Sequence, residues 1–210
     1  MKLKDFAAYQ QSDIGLKNIL LTWEKIQSNY YSETDKYLQW LVFKIILAYG
    51  DYENPVHTIS NMALDQNFNP LSCAGPHIPD LFVVYEGKGY VLEVTERPIH
   101  GKIEHFSHID WAVKKYGLNN CLGCLVTRTD TERVPPEVWS TFKAELEFSG
   151  RLFMISGVKF LLDLLRLYGR DSGKKFVCFL EKSEEIWKKK LGWKNIKNLI
   201  VILQRTTLEK

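Results

Sequence analysis

The chain has 210 residues, 45% of them hydrophobic and 13% aromatic, enough to bury a large core as a single domain, residues 1–210, without disulfides. Its 28 Lys and Arg against 25 Asp and Glu leave a formal net charge of +3, far below that of a dedicated nucleic-acid binder. No apolar run reaches about 18 residues, so no membrane-spanning helix is expected; Met1-Lys2-Leu3-Lys4-Asp5-Phe6 lacks the apolar stretch of a secretory signal, which points to the cytoplasm.

Helical spacing of apolar residues predicts two helices in the first 50 residues, Asp13–Ser28 and Thr34–Tyr49, placed to cover a sheet. Glu33 and Asp35 stand where the second begins, after Ser32, and read as acidic residues that offset the unpaired N–H groups of a helix start. Gly50–Ile78 follows as a long irregular stretch holding Pro55, Asn67, Asn69, Pro70, Gly75 and Pro76. A loop of that length inside one domain is usually functional.

Pro79-Asp80-Leu81-Phe82-Val83-Val84-Tyr85-Glu86-Gly87-Lys88-Gly89-Tyr90-Val91-Leu92-Glu93-Val94-Thr95 predicts a β-hairpin, two strand-forming runs around a glycine turn. With Gly87-Lys88 as a two-residue loop, Glu86 pairs with Gly89, Phe82 faces Glu93 and Asp80 faces Thr95. Period-two alternation then puts Asp80, Glu93 and Thr95 on one face and Leu81, Val83, Tyr85, Leu92 and Val94 on the other. The apolar face wants helices over it; the acidic one can hold an ion. A three-residue loop without a bulge would instead send Asp80 and Glu93 to opposite sides. Two carboxylates at the end of a hairpin suit Mg²⁺, which takes one or two carboxylates together with waters and phosphate oxygens, and phosphodiester hydrolysis is the natural use of such an ion. The plainer alternative makes Asp80 a strand-opening residue and Glu93 half of a surface ion pair.

Beyond the hairpin come a helix near Glu104–Tyr116, a strand at Cys121–Thr127, a helix over Pro136–Phe148 and a strand at Arg151–Ile155. The order predicts an α/β fold, a mixed central sheet flanked by helices. Cys121-Leu122-Gly123-Cys124 has CxxC spacing, but its surroundings read as a buried parallel strand, whose residues three apart face opposite ways; core packing accounts for these cysteines better than zinc. Ser156–Tyr168 is a helix with apolar residues nearly all round it, to be buried in the domain or against a partner. The tail, residues 171–210, carries ten Lys or Arg and five Asp or Glu, a net +5 against −2 for the rest. Its stretch Glu185–Leu199 fits either a DNA backbone contact or an amphipathic helix with a solvated lysine face.

Pro79-Asp80 followed by Glu93-Val94-Thr95 resembles the PD-(D/E)XK nuclease signature, in the variant with Thr in place of Lys. More closely, the stretch from about Tyr37 to Thr127 resembles the small catalytic subunits of heterodimeric type IIS restriction endonucleases and the cleavage domains of AlwI-like and nicking type IIS enzymes. In those relatives a Gly-Lys or Gly-Gln element follows, then a helix carrying a His. Here Gly101-Lys102 and Ser107-His108-Ile109-Asp110 stand at those places, with a shorter segment between them.

The resemblance implies a restriction-endonuclease-like core over residues 78–170, with Asp80, Glu93 and the Val94 carbonyl as ligands of Mg²⁺ or Mn²⁺. Thr95 then occupies the position of the lysine that polarises the attacking water. Three substitutes are open for that missing charge: Lys102 reaching in, His108 acting on the water or the scissile phosphate, or the ion alone. The relatives often carry one more acid on an early helix, which makes Glu33 and Asp35 a second possibility beside their capping role.

The chain has no helix-turn-helix, zinc finger or basic zipper with which to read sequence. The expectation is therefore an endodeoxyribonuclease subunit that cuts one strand of duplex DNA near a site recognised by a larger partner. Two alternatives stand beside it: a repair or junction nuclease of the same fold acting as a homodimer, and a fold of this kind that has lost catalysis and serves as a DNA- or protein-binding module.

Overall fold

Gly87 decides how the central hairpin is paired. Its φ of +75° belongs in a turn, and in the computed structural model Tyr85 pairs with Lys88 across it, so Lys88 opens the second strand instead of sharing the loop with Gly87. Strands β4 (Leu81–Tyr85) and β5 (Lys88–Thr95) therefore pair as Leu81 with Leu92 and Phe82 with Val91, two residues away from the expected register. A shift of two preserves which strand side chains share a face, so Glu93 and Thr95 remain on the same side, while Asp80, just before β4, meets Gln39 of the third helix of the chain. The ladder ends at Leu81 with Leu92, so the expected pairing of Asp80 with Thr95 does not form. The structure describes residues 1–49, 58–85, 87–96, 104–117, 121–129, 134–149, 153–189 and 193–209.

The hairpin lies inside a five-stranded sheet of order β1-β4-β5-β6-β7, whose other members are β1 (Thr58–Ser60), β6 (Cys121–Thr127) and β7 (Phe153–Gly157). β1, β4 and β5 are antiparallel; β5, β6 and β7 are parallel. The parallel steps cross over through α4 (Glu104–Tyr116) and α5 (Pro136–Ser149), as parallel connections require. These two helices cover the face that carries Phe82, Val91, Glu93 and Gly123. Tyr116 stacks on Phe82 with centroids 4.4 Å apart, and Phe106 meets Phe142 and Phe153 edge-on at 5.3 and 5.2 Å. The other face, with Leu81, Leu92, Val94, Cys124 and Met154, packs on α3 (Thr34–Ala48) and α6 (Val158–Tyr168), which Tyr49 Oη ties together by donating to the Leu161 carbonyl. Both faces are thus covered, including the one expected to lie open for ions.

Other sequence expectations change in detail. Gly50–Ile78 is not wholly irregular: besides β1 it forms a small ribbon of β2 (Met62–Leu64) and β3 (Pro70–Ala74). Its turn is folded by Asp65, whose carboxylate accepts from the Asn67 and Asn69 amides at 2.8 and 2.9 Å. Phe68 at the turn stacks on Phe6 at 4.6 Å, which seats an additional helix, α1 (Leu3–Gln10), before α2 (Asp13–Gln27). The strand expected at Arg151–Ile155 runs from Phe153 to Gly157, with 151 and 152 outside the described residues. α6 starts at Val158 and is one-sided: six of its apolar residues are buried while Leu167 is exposed. The basic tail is two helices, α7 (Ser172–Lys188) and α8 (Trp193–Glu209). No helix among the described residues is long and apolar enough to cross a membrane.

Candidate active site

Asp80 and Glu93 each stand one residue beyond Leu81–Leu92, the last pair of the hairpin ladder. Both are withdrawn from solvent, Asp80 at 8% and Glu93 at 2% exposure. Carboxylates taken out of water need partners, and each has them. Asp80 Oδ1 accepts from Gln39 Nε2 at 2.9 Å and Oδ2 from the Val94 amide at 2.7 Å. The Asp80 carbonyl accepts from the Asn61 amide at 3.1 Å, and Asn61 Nδ2 donates to the Pro79 carbonyl at 2.6 Å, which fixes the backbone on entry to β4. Glu93 Oε1 lies 2.6 Å from His108 Nδ1.

His108 reaches Glu93 because α4 lies along that face of the sheet with His108, Ile109 and Ala112 turned inward and Tyr116 on Phe82, the spacing of one helical face. At 6% exposure it is a buried imidazole held by a carboxylate.

Of the remaining expected site residues, Thr95 ends β5, half-buried, and its carbonyl accepts from the Arg128 amide at 3.2 Å. Val94 meets Asp80 through its amide. Lys102 lies outside the described residues. Neither early acid behaves as a side-chain cap: Glu33 occupies the cap position of α3 without a cap bond and pairs with Lys36. Asp35, in the first turn, accepts from the Glu96 amide at 3.1 Å, so α3 begins against the end of β5. Burial first, then the Asp35 and Asp80 carboxylates, push up the pKa of the nearby Cys73 thiol.

Two residues not singled out from the sequence hold the frame. Gln39 bridges Asp80 and the Ala74 amide, the latter at 3.1 Å. Arg128, just past β6, donates to Glu96 Oε1, the Ile26 carbonyl and Asn29 Oδ1, each at 2.8 Å. It joins the strand ends to the C-terminus of α2, where a cation also complements the helix dipole. A signal existed for Gln39, a polar residue between Leu38 and Leu41 on a face that is otherwise apolar.

Among the described residues no group of three or more His, Cys, Asp or Glu is arranged to hold a metal. The donor set is the smaller one of two carboxylates, which Mg²⁺ accepts when waters and phosphate oxygens complete its shell.

No protein-family model matches the chain, and no curated protein matches it in sequence. Among solved structures, it aligns with the crystal structure of the small subunit, R.BspD6I2, of the heterodimeric restriction endonuclease R.BspD6I. The TM-score is 0.66 at 17% identity, over 90% of this chain and 98% of that one. A restriction-endonuclease fold is thereby established. The likeness at this identity concerns architecture, and the chemistry rests on the residues described above.

Proposed function

We propose that this chain is the cleaving subunit of a type IIS restriction endonuclease of the PD-(D/E)XK kind, a Mg²⁺-dependent endodeoxyribonuclease that cuts one strand beside a site read by a larger partner subunit in the cytoplasm. The observation that carries the proposal is the burial of two carboxylates, Asp80 and Glu93, each one residue beyond the last pair of the central hairpin in a restriction-endonuclease fold. Carboxylates gathered at the end of one hairpin repel, and a divalent cation held by both would offset that repulsion.

Asp80, Glu93 and the Val94 carbonyl would hold the ion. Bound there, it supplies positive charge to a scissile phosphate and lowers the pKa of a water. The chain's own residues do the rest. The Val94 amide and Gln39 orient Asp80. His108 holds Glu93 by its Nδ1 and would supply the imidazole that takes or gives a proton, since Thr95 offers only a hydroxyl.

The test is a nicking assay on supercoiled plasmid with Mg²⁺ and the candidate large subunit. Glu93→Ala is expected to abolish cleavage of one strand only. Loss of both strands, or of neither, would contradict this division of labour.

A further inference from the structure

Gln39 is 6% exposed and sits in the middle of α3, where its neighbours Leu38, Leu41 and Val42 are apolar and buried. A buried primary amide has to satisfy both its ends, and here the two partners leave one solution. The Ala74 amide can only donate, so Oε1 must face it, at 3.1 Å. Nε2 is then directed to Asp80 Oδ1, at 2.9 Å. The chemistry of the two partners thus fixes the orientation of the amide. Asp80 in turn has its other oxygen on the Val94 amide, so its carboxylate plane is pinned from two directions, by α3 and by β5.

The Ala74 bond adds a third element. Ala74 ends β3, and the ribbon of β2 and β3 is joined to α3 again where Trp40 Nε1 donates to the Phe68 carbonyl at 2.7 Å. Consecutive residues of α3, Gln39 and Trp40, therefore clamp the two ends of β3's approach, while Leu71 and Ser72 between them are exposed. The ribbon's position reaches Asp80 through a single amide.

We infer that Gln39 is a positioning residue for the divalent-ion site, which aligns the Asp80 carboxylate and couples it to the seat of the β2–β3 ribbon; the inference rests on the proposed nuclease reading. Groups that orient a metal ligand without touching the metal typically change affinity by about 10–100-fold when removed. Gln39→Met keeps the volume and removes both bonds.

The experiment is calorimetric titration of the full chain with Mn²⁺, alongside the Mg²⁺ dependence of nicking and an unfolding midpoint. Gln39→Met is expected to weaken Mn²⁺ binding by about 10–100-fold and to raise the Mg²⁺ concentration for half-maximal nicking in step, with the rate recovering at saturating Mg²⁺. A second variant guards against simple loss of fold. Gln39→Glu keeps the acceptor for Ala74 but sets a carboxylate against Asp80, so one of the pair holds a proton until the ion displaces it. Its heat of Mn²⁺ binding should then depend on the ionisation enthalpy of the buffer more steeply than the wild type's.

Unchanged Mn²⁺ affinity in a folded Gln39→Met, or a rate loss that saturating Mg²⁺ leaves in place, overturns the positioning role. Failure of the wild type itself to bind Mn²⁺, with Asp80→Ala indistinguishable from it, would instead remove the metal-dependent reading on which the role depends.

Discussion

Asp80, Glu93 and Lys44 are all withdrawn from water, and what each receives in exchange differs. The two acids have hydrogen-bond donors and an imidazole. Lys44, 1% exposed on α3, has the neutral Asn18 and Thr22 oxygens at 3.1 and 2.8 Å and the face of Trp40 at 3.7 Å. Burial, with a smaller contribution from Lys25, lowers its pKa from 10.5 to about 7. A base whose folded pKa is depressed binds fewer protons folded than unfolded between those two values, so stability rises with pH across the window from about 7 to 10.5 and is flat with respect to this group below it. The slope approaches 1.4 kcal/mol per pH unit at most, on the order of one proton. Urea unfolding at pH 7 and pH 9 checks this. Relative to Lys44→Met, which has no proton to exchange, the wild type should gain stability on going to pH 9. Parallel pH dependences in the two proteins would sink the argument.

At the level of elements, β6 is fitted to its neighbour by the lack of a side chain. Gly123 pairs with Phe153 of β7, and a Cβ at Gly123 would lie 2.5 Å from that ring. Phe153 has no room to retreat, since Phe106 and Phe142 crowd it from α4 and α5. Gly123→Ala should therefore cost about 1–3 kcal/mol as an overpacked core, read as a lower denaturant midpoint, and Phe153→Leu in the same chain should restore part of it. A neutral Gly123→Ala would mean the ring moves freely. The hairpin, the parallel strand through Cys121 and Cys124 and the helix bearing His108 were legible because alternation, a glycine turn and 3.6-residue spacing are local signals. The ribbon was not: β1 and β2 are three residues each and β3 opens on a proline, so pairing with distant partners, and not propensity, makes them strands. The same limit applied to the site. Asp80 and Glu93 stand on one hairpin and announce themselves, whereas Gln39 and Arg128 matter through contacts 41 and 102 positions away in sequence.

For the whole molecule, the question is whether the basic tail gives this chain a hold on DNA of its own. The tail is built into the body: Trp187 of α7 stacks on Trp139 of α5 at 6.1 Å, and Tyr168 Oη donates to the Thr207 carbonyl of α8. Part of its charge is already engaged, Lys174 with Asp171 at 3.6 Å, Lys188 with Glu184 at 2.7 Å and Lys175 over the Tyr168 ring. Phosphate contacts drive non-specific affinity through counterion release, each adding to the salt dependence, so a chain of net charge +3 with tail lysines in surface ion pairs should bind duplex DNA in the range of about 10⁻⁴–10⁻⁶ M at physiological salt, without sequence preference. Efficient cutting would then require a partner that holds the DNA and raises the effective concentration of this subunit at the phosphate. Gel-shift titrations of the isolated chain against duplexes of unrelated sequence, repeated at two salt concentrations, measure both the affinity and the slope. Tight binding to one sequence over the others would place recognition in this chain and remove the reason for a larger reading subunit.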